Sequence, residues 1–155
     1  IEHLQNKYKT TTIKGGSVRN ETVFNAISFV KSRYGEDAKV IFADSARPLL
    51  TPEYVDEVFQ LLDEYDSVIT VSKITDSLFE LGNALVNREN FRLIQTPEAF
   101  RLSVLNGFNK DDNSTAILEQ CKSDKICFCD KLQNNFKITY PKDLVVAGAL
   151  LEVEK

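Results

Sequence analysis

The sequence contains no methionine and no tryptophan, a single histidine, and three cysteines among 155 residues. One histidine, His3, excludes multi-histidine metal sites and argues against a Ser–His–Asp triad. Cys121, Cys127 and Cys129 have a C-x5-C-x-C spacing that matches no common zinc pattern, so buried thiols are the more natural interpretation. The chemistry of this chain must therefore use groups other than imidazole.

The chain also lacks an excess of basic residues and any long apolar run. A net charge of -4 and a pI near 5.1 argue against a nucleic-acid partner, which needs a basic face, but they permit a small anionic ligand. No stretch approaches the roughly 20 apolar residues of a membrane span, and no signal peptide is visible. We expect one globular domain over residues 1–155 that is cytoplasmic and has no membrane partner.

The front half of the chain alternates strand and helix signals. The β-branched "KYKTTTI" predicts a strand ending near Ile13, and "NETVFNAISFVKSRYG" predicts a helix with Ser17 or Asn20 as cap and Gly35 as its end. "AKVIFA" predicts a strand buried on both faces of a parallel sheet. "TPEYVDEVFQLLDEY" predicts a second helix capped by Thr51, and "SVITVSKI" the next buried strand. This order favours an α/β fold with an open, mostly parallel sheet and helices on both faces.

The second half is less regular. Short apolar pieces in "TDSLFELGNALVNRENFRLIQTPEAF" indicate a small β-arm followed by a loop. "PEAFRLSVLNGF" and "STAILEQC" have helical patterns, whereas "KICFC" and "FKIT" are typical of strands. "PKDLVVAGALLEVE" predicts a closing amphipathic helix with Pro141 near its first turn.

Three predicted strands end in residues suited to ligand binding, and in open parallel sheets ligands bind beyond the carboxyl ends of the strands. Lys14 and the pair Gly15–Gly16 follow the first strand, where backbone N–H groups can approach a ligand at a helix N-terminus; an ordinary turn is an equally good interpretation. Thr75–Asp76 follows the third strand. The pattern indicates a site at this edge of the sheet.

Asp44 follows the second strand, and it is suited to hold a metal ion or a hydroxyl group; an ion pair with Arg47 or a turn cap is the alternative. Pro48 restricts Arg47 to extended backbone geometry. Lys137 lies in the predicted strand "FKIT", where an unpaired ammonium is costly, so an edge position is expected. These residues predict an α/β protein that binds a phosphorylated ligand.

Six motifs in order, "GGSVRNETVFNAI", "DSARPLLT", "TDSL", "NRENF", "QTPEAF" and "FKITYPKDL", resemble the polyol-phosphate cytidylyltransferases. This family includes the enzymes for 2-C-methyl-D-erythritol 4-phosphate and for ribitol 5-phosphate. The resemblance spans about Lys14 to Leu151. It implies a Rossmann-like fold with a protruding β-arm at about residues 76–92, usually exchanged across a homodimer. It also implies a nucleotidyltransferase reaction in which CTP and a polyol phosphate give a CDP-polyol and pyrophosphate with Mg²⁺.

The resemblance also implies roles for individual residues. Arg88, from the arm, would grip the polyol phosphate, and Thr96 would line the substrate pocket. Lys137 would position the substrate phosphate, so that Lys137, Arg88 and Asp44 are the implied catalytic residues, with Asp44 also at the metal. The implied CTP-binding residues are Gly15, Gly16, Ser17, Arg19, Asn20, Thr22, Asp44, Ser45 and Arg47.

The sequence departs from the family pattern at several points. The strand and Gly-rich CTP loop with which the family begins are absent before Ile1, so we expect an N-terminally truncated chain. Phe79 replaces a usual lysine, and "DDNSTA" places Asp112 in doubt as a substrate contact. These departures keep a non-catalytic dimeric homologue open as an alternative.

The choice of polyol rests on a few positions. Lys14, Ser45 and the pair Arg19–Asn20 favour ribitol 5-phosphate as the substrate. The CDP-polyol product would then be used in cell wall biogenesis. The alternative is the 2-C-methyl-D-erythritol 4-phosphate cytidylyltransferase of isoprenoid biosynthesis, in which "RQ(D/E)SV" and "DAARP" are more usual.

Overall fold

The computed structural model describes residues 5, 7–82 and 85–153. The described residues form two compact units, one containing the chain up to Ala38 and Arg101–Lys122, the other containing Lys39–Phe100 and the chain from Ser123 onward. No helix in these described ranges is both long and apolar enough to cross a membrane. The expectation of one nucleotidyltransferase domain over 1–155 stays a prediction.

The first unit is built around helix α1, Arg19–Tyr34, and two 3-10 helices, Leu102–Leu105 and Ile117–Gln120. As predicted, α1 buries Val23 and Ile27, and it ends at Gly35, whose φ of 86° is easily adopted only by glycine. The predicted caps are wrong, because the N-cap is Val18 and no side chain caps the helix. The predicted strand ending near Ile13 is also wrong, since residues 9–16 have no regular structure.

The second unit contains the sheet. Its strands, in chain order, are β1 Lys39–Phe42, β2 Ser67–Ser72, β3 Leu78–Phe79, β4 Leu85–Val86, β5 Leu93–Arg101 and β6 Ile126–Cys129. Strands β1, β5, β2 and β6 form one sheet in that order, and β3 pairs with β4 in an antiparallel two-stranded sheet inside the range expected for the arm. Helix α2 is Pro52–Leu61, and helix α3 is Asp143–Val153. The α/β prediction is therefore confirmed.

Helix α2 begins as its sequence dictates and covers the sheet. The hydroxyl of Thr51 accepts from the N–H of Tyr54 at 3.3 Å, and Pro52 occupies the first turn. The helix and the residue after it place Tyr54, Val58 and Leu62 against Val68 and other core residues of the sheet. Leu62 and Val68 are almost fully buried, and this apolar contact is the main core of the second unit.

The sheet is mixed, because β2 runs antiparallel to β5 and parallel to β6. Strand β5 contains "PEAFR", which the helical pattern of "PEAFRLSVLNGF" had assigned to a helix; that assignment is wrong, and only Leu102–Leu105 forms a 3-10 turn. "FKIT" is not a strand either. Strand β1 is half-buried because it ends the strand order, whereas the interior strand β2 is buried as predicted.

Candidate functional site

Asp44 lies two residues beyond β1 and organises a tight turn. Its Oδ1 accepts from the N–H of Ala46 at 3.0 Å, and its carbonyl accepts from the N–H of Arg47 at 2.9 Å. An aspartate that binds the backbone two residues ahead stabilises such a turn locally. The same turn exposes Ser45.

Lys137 is paired with Asp44 across this turn. Its Nζ lies 3.2 Å from Asp44 Oδ2, and the two side chains are 51% and 32% exposed. An ion pair this exposed contributes only about 0.2–1 kcal/mol to stability, so its main consequence is the position of the ammonium. The prediction that Lys137 lies in a strand is wrong; it lies in an irregular segment whose Ile138 N–H donates to the carbonyl of Ala46 at 2.8 Å.

The pKa of the Asp44 carboxyl is lowered. The hydrogen bond from the Ala46 N–H is the largest cause, and Lys137 and Arg47 add to it, while burial acts in the opposite direction. Asp44 is therefore ionised at neutral pH. A carboxylate and two cations thus meet at the end of β1.

Arg47 is fixed by the segment that carries Lys137. Its Nη1 donates to the carbonyl of Asn135 at 2.5 Å. Burial lowers the pKa of the Arg47 guanidinium, an effect that Asp44 partly offsets, but an arginine stays charged under these conditions. The remaining N–H groups of the guanidinium fork are of the kind that recognises phosphate oxygens.

Asn135 connects this segment with the start of β5. Its side chain is only 8% exposed, and its Nδ2 donates to Gln95 Oε1 at 2.9 Å and to the carbonyl of Thr96 at 2.8 Å. Asn135 Oδ1 and Thr96 Oγ1 are buried without a hydrogen-bond partner among the described residues. A buried polar atom left unpaired typically costs about 1–3 kcal/mol, so both residues are held here against a local cost.

Arg88 makes contacts outside this cluster. It begins a 3-10 helix, Arg88–Asn90, and its Nη1 donates to the carbonyl of Thr75, while its Nε lies 3.5 Å from Glu89 Oε1. The sequence predicted Thr75–Asp76 at a ligand-binding edge of the sheet. In the structure the carbonyl of Thr75 accepts a hydrogen bond from the Arg88 guanidinium.

The glycine loop belongs to the first unit. The N–H of Gly16 donates to Thr22 Oγ1 at 2.9 Å, and the N–H and hydroxyl of Ser17 donate to Glu21 Oε2 at 2.6 and 2.7 Å. The two bonds from Ser17 lower the pKa of the Glu21 carboxyl. A Cβ on Gly16 would lie 2.3 Å from Cβ of Glu21, so only glycine permits this close approach. The N–H groups of Gly16 and Ser17, which were predicted to face a ligand, are bound by the chain's own side chains.

A cavity of about 360 Å³ lies beside this loop in the first unit, lined in part by Arg19 and Asn20. Asn20 is buried, and its Nδ2 donates to the carbonyls of Asp112 and Ser114 at 2.8 and 3.3 Å. The carboxylate of Asp112 accepts from the N–H of Ser114 at 2.7 Å and so closes its own turn. Asn20 therefore supports the 112–114 loop.

Sequence reasoning identified most residues of the turn but missed Asn135 and Glu21. Asn135 directly precedes "FKIT", and the only available signal was an Asn–Asn pair before an apolar stretch, which reads as an ordinary loop. Glu21 follows Ser17 by four residues rather than the three of a capping box, so no standard spacing identifies it.

The fold of the chain is shared with a solved structure. The structure of 4-diphosphocytidyl-2C-methyl-D-erythritolsynthase from Anaerococcus prevotii DSM 20548 matches with a TM-score of 0.83 at 22% identity, over 97% of this chain and 72% of that one. At this identity the likeness shows the fold. The chain thus has the α/β fold of that structure.

The sequence comparisons give the family. The family model described as IspD: 2-C-methyl-D-erythritol 4-phosphate cytidylyltransferase matches residues 1–153, and the chain belongs to this family. The resemblance inferred from the six motifs is confirmed.

Two curated relatives carry different substrate names. The 2-C-methyl-D-erythritol 4-phosphate cytidylyltransferase of Azobacteroides pseudotrichonymphae genomovar. CFP2 is 35% identical over 150 residues, 91% of this chain and 66% of the relative. The ribitol-5-phosphate cytidylyltransferase of Lactiplantibacillus plantarum is 29% identical over 169 residues, 97% of this chain and 72% of the relative. The chain spans about two thirds of the length of these relatives.

Proposed function

We propose that the protein transfers a cytidylyl group from CTP to a polyol phosphate, releasing pyrophosphate. The observation that carries the proposal is the meeting of Asp44, Arg47 and Lys137 at the end of β1, in a chain of the IspD family. Family membership alone does not establish this activity, because the chain spans only part of the length of its relatives.

The chemistry needs positioned cations rather than a protein nucleophile. An oxygen of the polyol phosphate attacks the α-phosphorus of CTP, and the bond from that phosphorus to the bridging oxygen of pyrophosphate breaks. Negative charge then spreads over the α-phosphate and the departing pyrophosphate, where fixed cations lower the barrier. Lys137 has an ammonium held beside Asp44 for the substrate phosphate, and Arg47 has a guanidinium fixed by Asn135 for the nucleotide. Having one histidine is no obstacle to this reaction.

Asp44 fits the type of Mg²⁺ site that relies on substrate phosphates. Mg²⁺ is commonly bound by one or two carboxylates together with phosphate oxygens. In the described ranges no group of three or more His, Cys, Asp or Glu residues could hold a metal by itself, whereas Asp44 is ionised and partly exposed. We assign Mg²⁺ to Asp44 and the CTP phosphates, where the bound ion would neutralise phosphate charge.

The remaining roles complete the proposal. We assign cytidine recognition to the loop of Gly15, Gly16 and Ser17 with the helix start at Arg19, Asn20 and Thr22. Thr96 is assigned to the polyol pocket, and Arg88 to the polyol phosphate in a homodimer joined through the β-arm. We place the enzyme in the cytoplasm, without nucleic-acid or membrane partners.

Ribitol 5-phosphate is the proposed substrate, since Lys14, Ser45 and Arg19–Asn20 favour it. The names of the family and of one relative favour 2-C-methyl-D-erythritol 4-phosphate instead. Incubation of the full-length protein with CTP, Mg²⁺ and each polyol phosphate decides between them by the rate of pyrophosphate release. We expect the higher kcat/KM with ribitol 5-phosphate. A preference for the other substrate would transfer the proposal to it, and release with neither would refute the transferase.

A further inference from the structure

We propose that Asn135 is a positioning residue. Its main-chain carbonyl holds Arg47, and its side chain holds strand β5 at Thr96. The inference deepens the proposed transferase and rests on it. Asn135 belongs to none of the residues that the motifs assigned to the site. It contacts both Arg47 and Thr96, to which the proposal gives the nucleotide and the polyol respectively.

The orientation of the Asn135 side chain is fixed by the carbonyl of Thr96, which can only accept a hydrogen bond. Nδ2 lies 2.8 Å from the main-chain carbonyl of Thr96. Turning the amide by 180° would bring Oδ1 against that carbonyl, acceptor against acceptor. Nδ2 therefore faces β5, and both of its hydrogens are used, one on Thr96 and one on Gln95.

The other half of the amide makes no bond, which separates the two roles experimentally. Oδ1 has no partner among the described residues, and Arg47 uses the main-chain carbonyl rather than the side chain. Replacing the NH₂ group with oxygen therefore breaks the link to β5 and leaves the link to Arg47 in place. The replacement should therefore change the KM for the polyol phosphate more than the KM for CTP.

Asn135 lies in a segment that is bonded directly to the turn. The segment from Asn135 to Ile138 is fastened to the Asp44–Arg47 turn by the bond from Arg47, the ion pair of Lys137 with Asp44, and the bond from the Ile138 N–H to Ala46. Because this segment is held on the turn side, losing the side-chain bonds of Asn135 releases Gln95 and Thr96 on the other side. The polyol pocket loosens while the nucleotide contacts are kept.

The experiment measures steady-state pyrophosphate release by the full-length wild-type protein, Asn135→Asp and Asn135→Ser. For both variants we expect the KM for the polyol phosphate to rise about 10-fold and the KM for CTP to change by less than about 2-fold. Lower pH should reduce the Asn135→Asp defect, because a protonated carboxyl again donates to Thr96, and should not help Asn135→Ser. Asn135→Ser, which buries no new charge, covers the case in which Asn135→Asp fails to fold.

Ser67→Ala is the matched control. Ser67 Oγ is also buried without a partner in the described ranges, but it lies at the start of β2 and has no assigned role in the reaction, so both KM values should stay unchanged. Equal changes in both KM values, or no change in either Asn135 variant, would overturn the positioning role.

Failure of the proposed function would look different. Wild-type protein that releases no pyrophosphate from either polyol phosphate refutes the transferase. Titration calorimetry with ribitol 5-phosphate then decides the Asn135 inference: binding that Asn135→Ser weakens about 10-fold supports it, and binding that is absent or unaffected overturns it.

Discussion

The glycine loop of the first unit and the Asp44 turn of the second are closed in different ways. In the loop, Gly16 and Ser17 bind exposed side chains only four to six positions away. In the turn, Arg47 binds Asn135, 88 positions along the chain, and Asn135 is buried. The loop donors are bound to surface side chains, whereas the turn is held by a buried partner. We therefore expect the loop to adapt to a ligand and the turn to be preorganised for one.

The largest expected effect comes from removing the cation of the preorganised turn. Lys137→Ala removes the ammonium that we propose for the substrate phosphate, and Asp44 loses its ion-pair partner. Because charge stabilisation of this kind is typically worth about 10²–10³ in rate, we expect kcat/KM to fall by roughly that factor. Steady-state kinetics with both substrates measure it.

Lys131→Ala is the control for this variant. Lys131 also forms an exposed ion pair, with Glu57, but it has no assigned role in the reaction. We expect its kcat/KM to stay within about 2-fold of wild type, as for ordinary surface changes. Similar losses in the two variants would show that general charge, rather than the Asp44 turn, matters.

The adaptable loop should respond more weakly, through CTP. In Gly16→Ala the new Cβ would meet the Glu21 side chain at 2.3 Å, so the loop must open and Ser17 loses its partner. We expect the KM for CTP to rise about 10-fold with little change in the KM for the polyol phosphate. Gly148→Ala in α3 is the matched control, because nothing lies within 4 Å of its added Cβ. An unchanged KM for CTP in Gly16→Ala would remove the loop from the nucleotide site.

The same division between local and distant contacts explains what the sequence could predict. Helix α2 starts at Thr51 and Pro52 as predicted, because caps are encoded in adjacent residues. The segment Leu93–Arg101 was assigned in part to a helix because its strand character depends on pairing with β2, a partner more than twenty residues away. The α/β class survived these errors, since it depends on the order of strong elements alone.

The candidate site divides in the same way. Asp44 and Arg47 could be identified because a strand end followed by an acid and a cation is a local pattern. Asn135 could not, since its importance lies in two contacts, to Arg47 and to Thr96, that no spacing in the sequence records. Lys137 was identified through the motif "FKITYPKDL", although its strand assignment was wrong.

A smaller effect should appear in the acid stability of the turn. The folded pKa of Asp44 is lower than its ordinary value of about 3.9, so its stabilisation is complete above that value and is lost as pH falls through the lowered pKa. Asp44→Asn should therefore lose less stability than wild type on acidification below about pH 4, by less than about 1 kcal/mol because the pair is partly exposed. Urea unfolding at several pH values measures the difference. The exposed Asp56→Asn on α2 should retain the wild-type slope, and a wild-type slope in Asp44→Asn would contradict the assignment.

The smallest effect is expected from Glu21→Gln in the adaptable loop. The hydrogen bonds from Ser17 lower the pKa of Glu21, so the variant removes a full negative charge at neutral pH. Because the side chain lies on the surface, we expect the Tm to shift by no more than about 2 °C. Glutamine keeps an acceptor oxygen for Ser17. The loss of one negative charge beside the loop should therefore lower the KM for anionic CTP about 2-fold, an effect that salt weakens. Glu53→Gln, an acidic residue in the first turn of α2, is the control and should leave this KM unchanged. A KM for CTP that rises in Glu21→Gln would mean that Glu21 shapes the loop for the nucleotide, and the loop would then be preorganised like the turn.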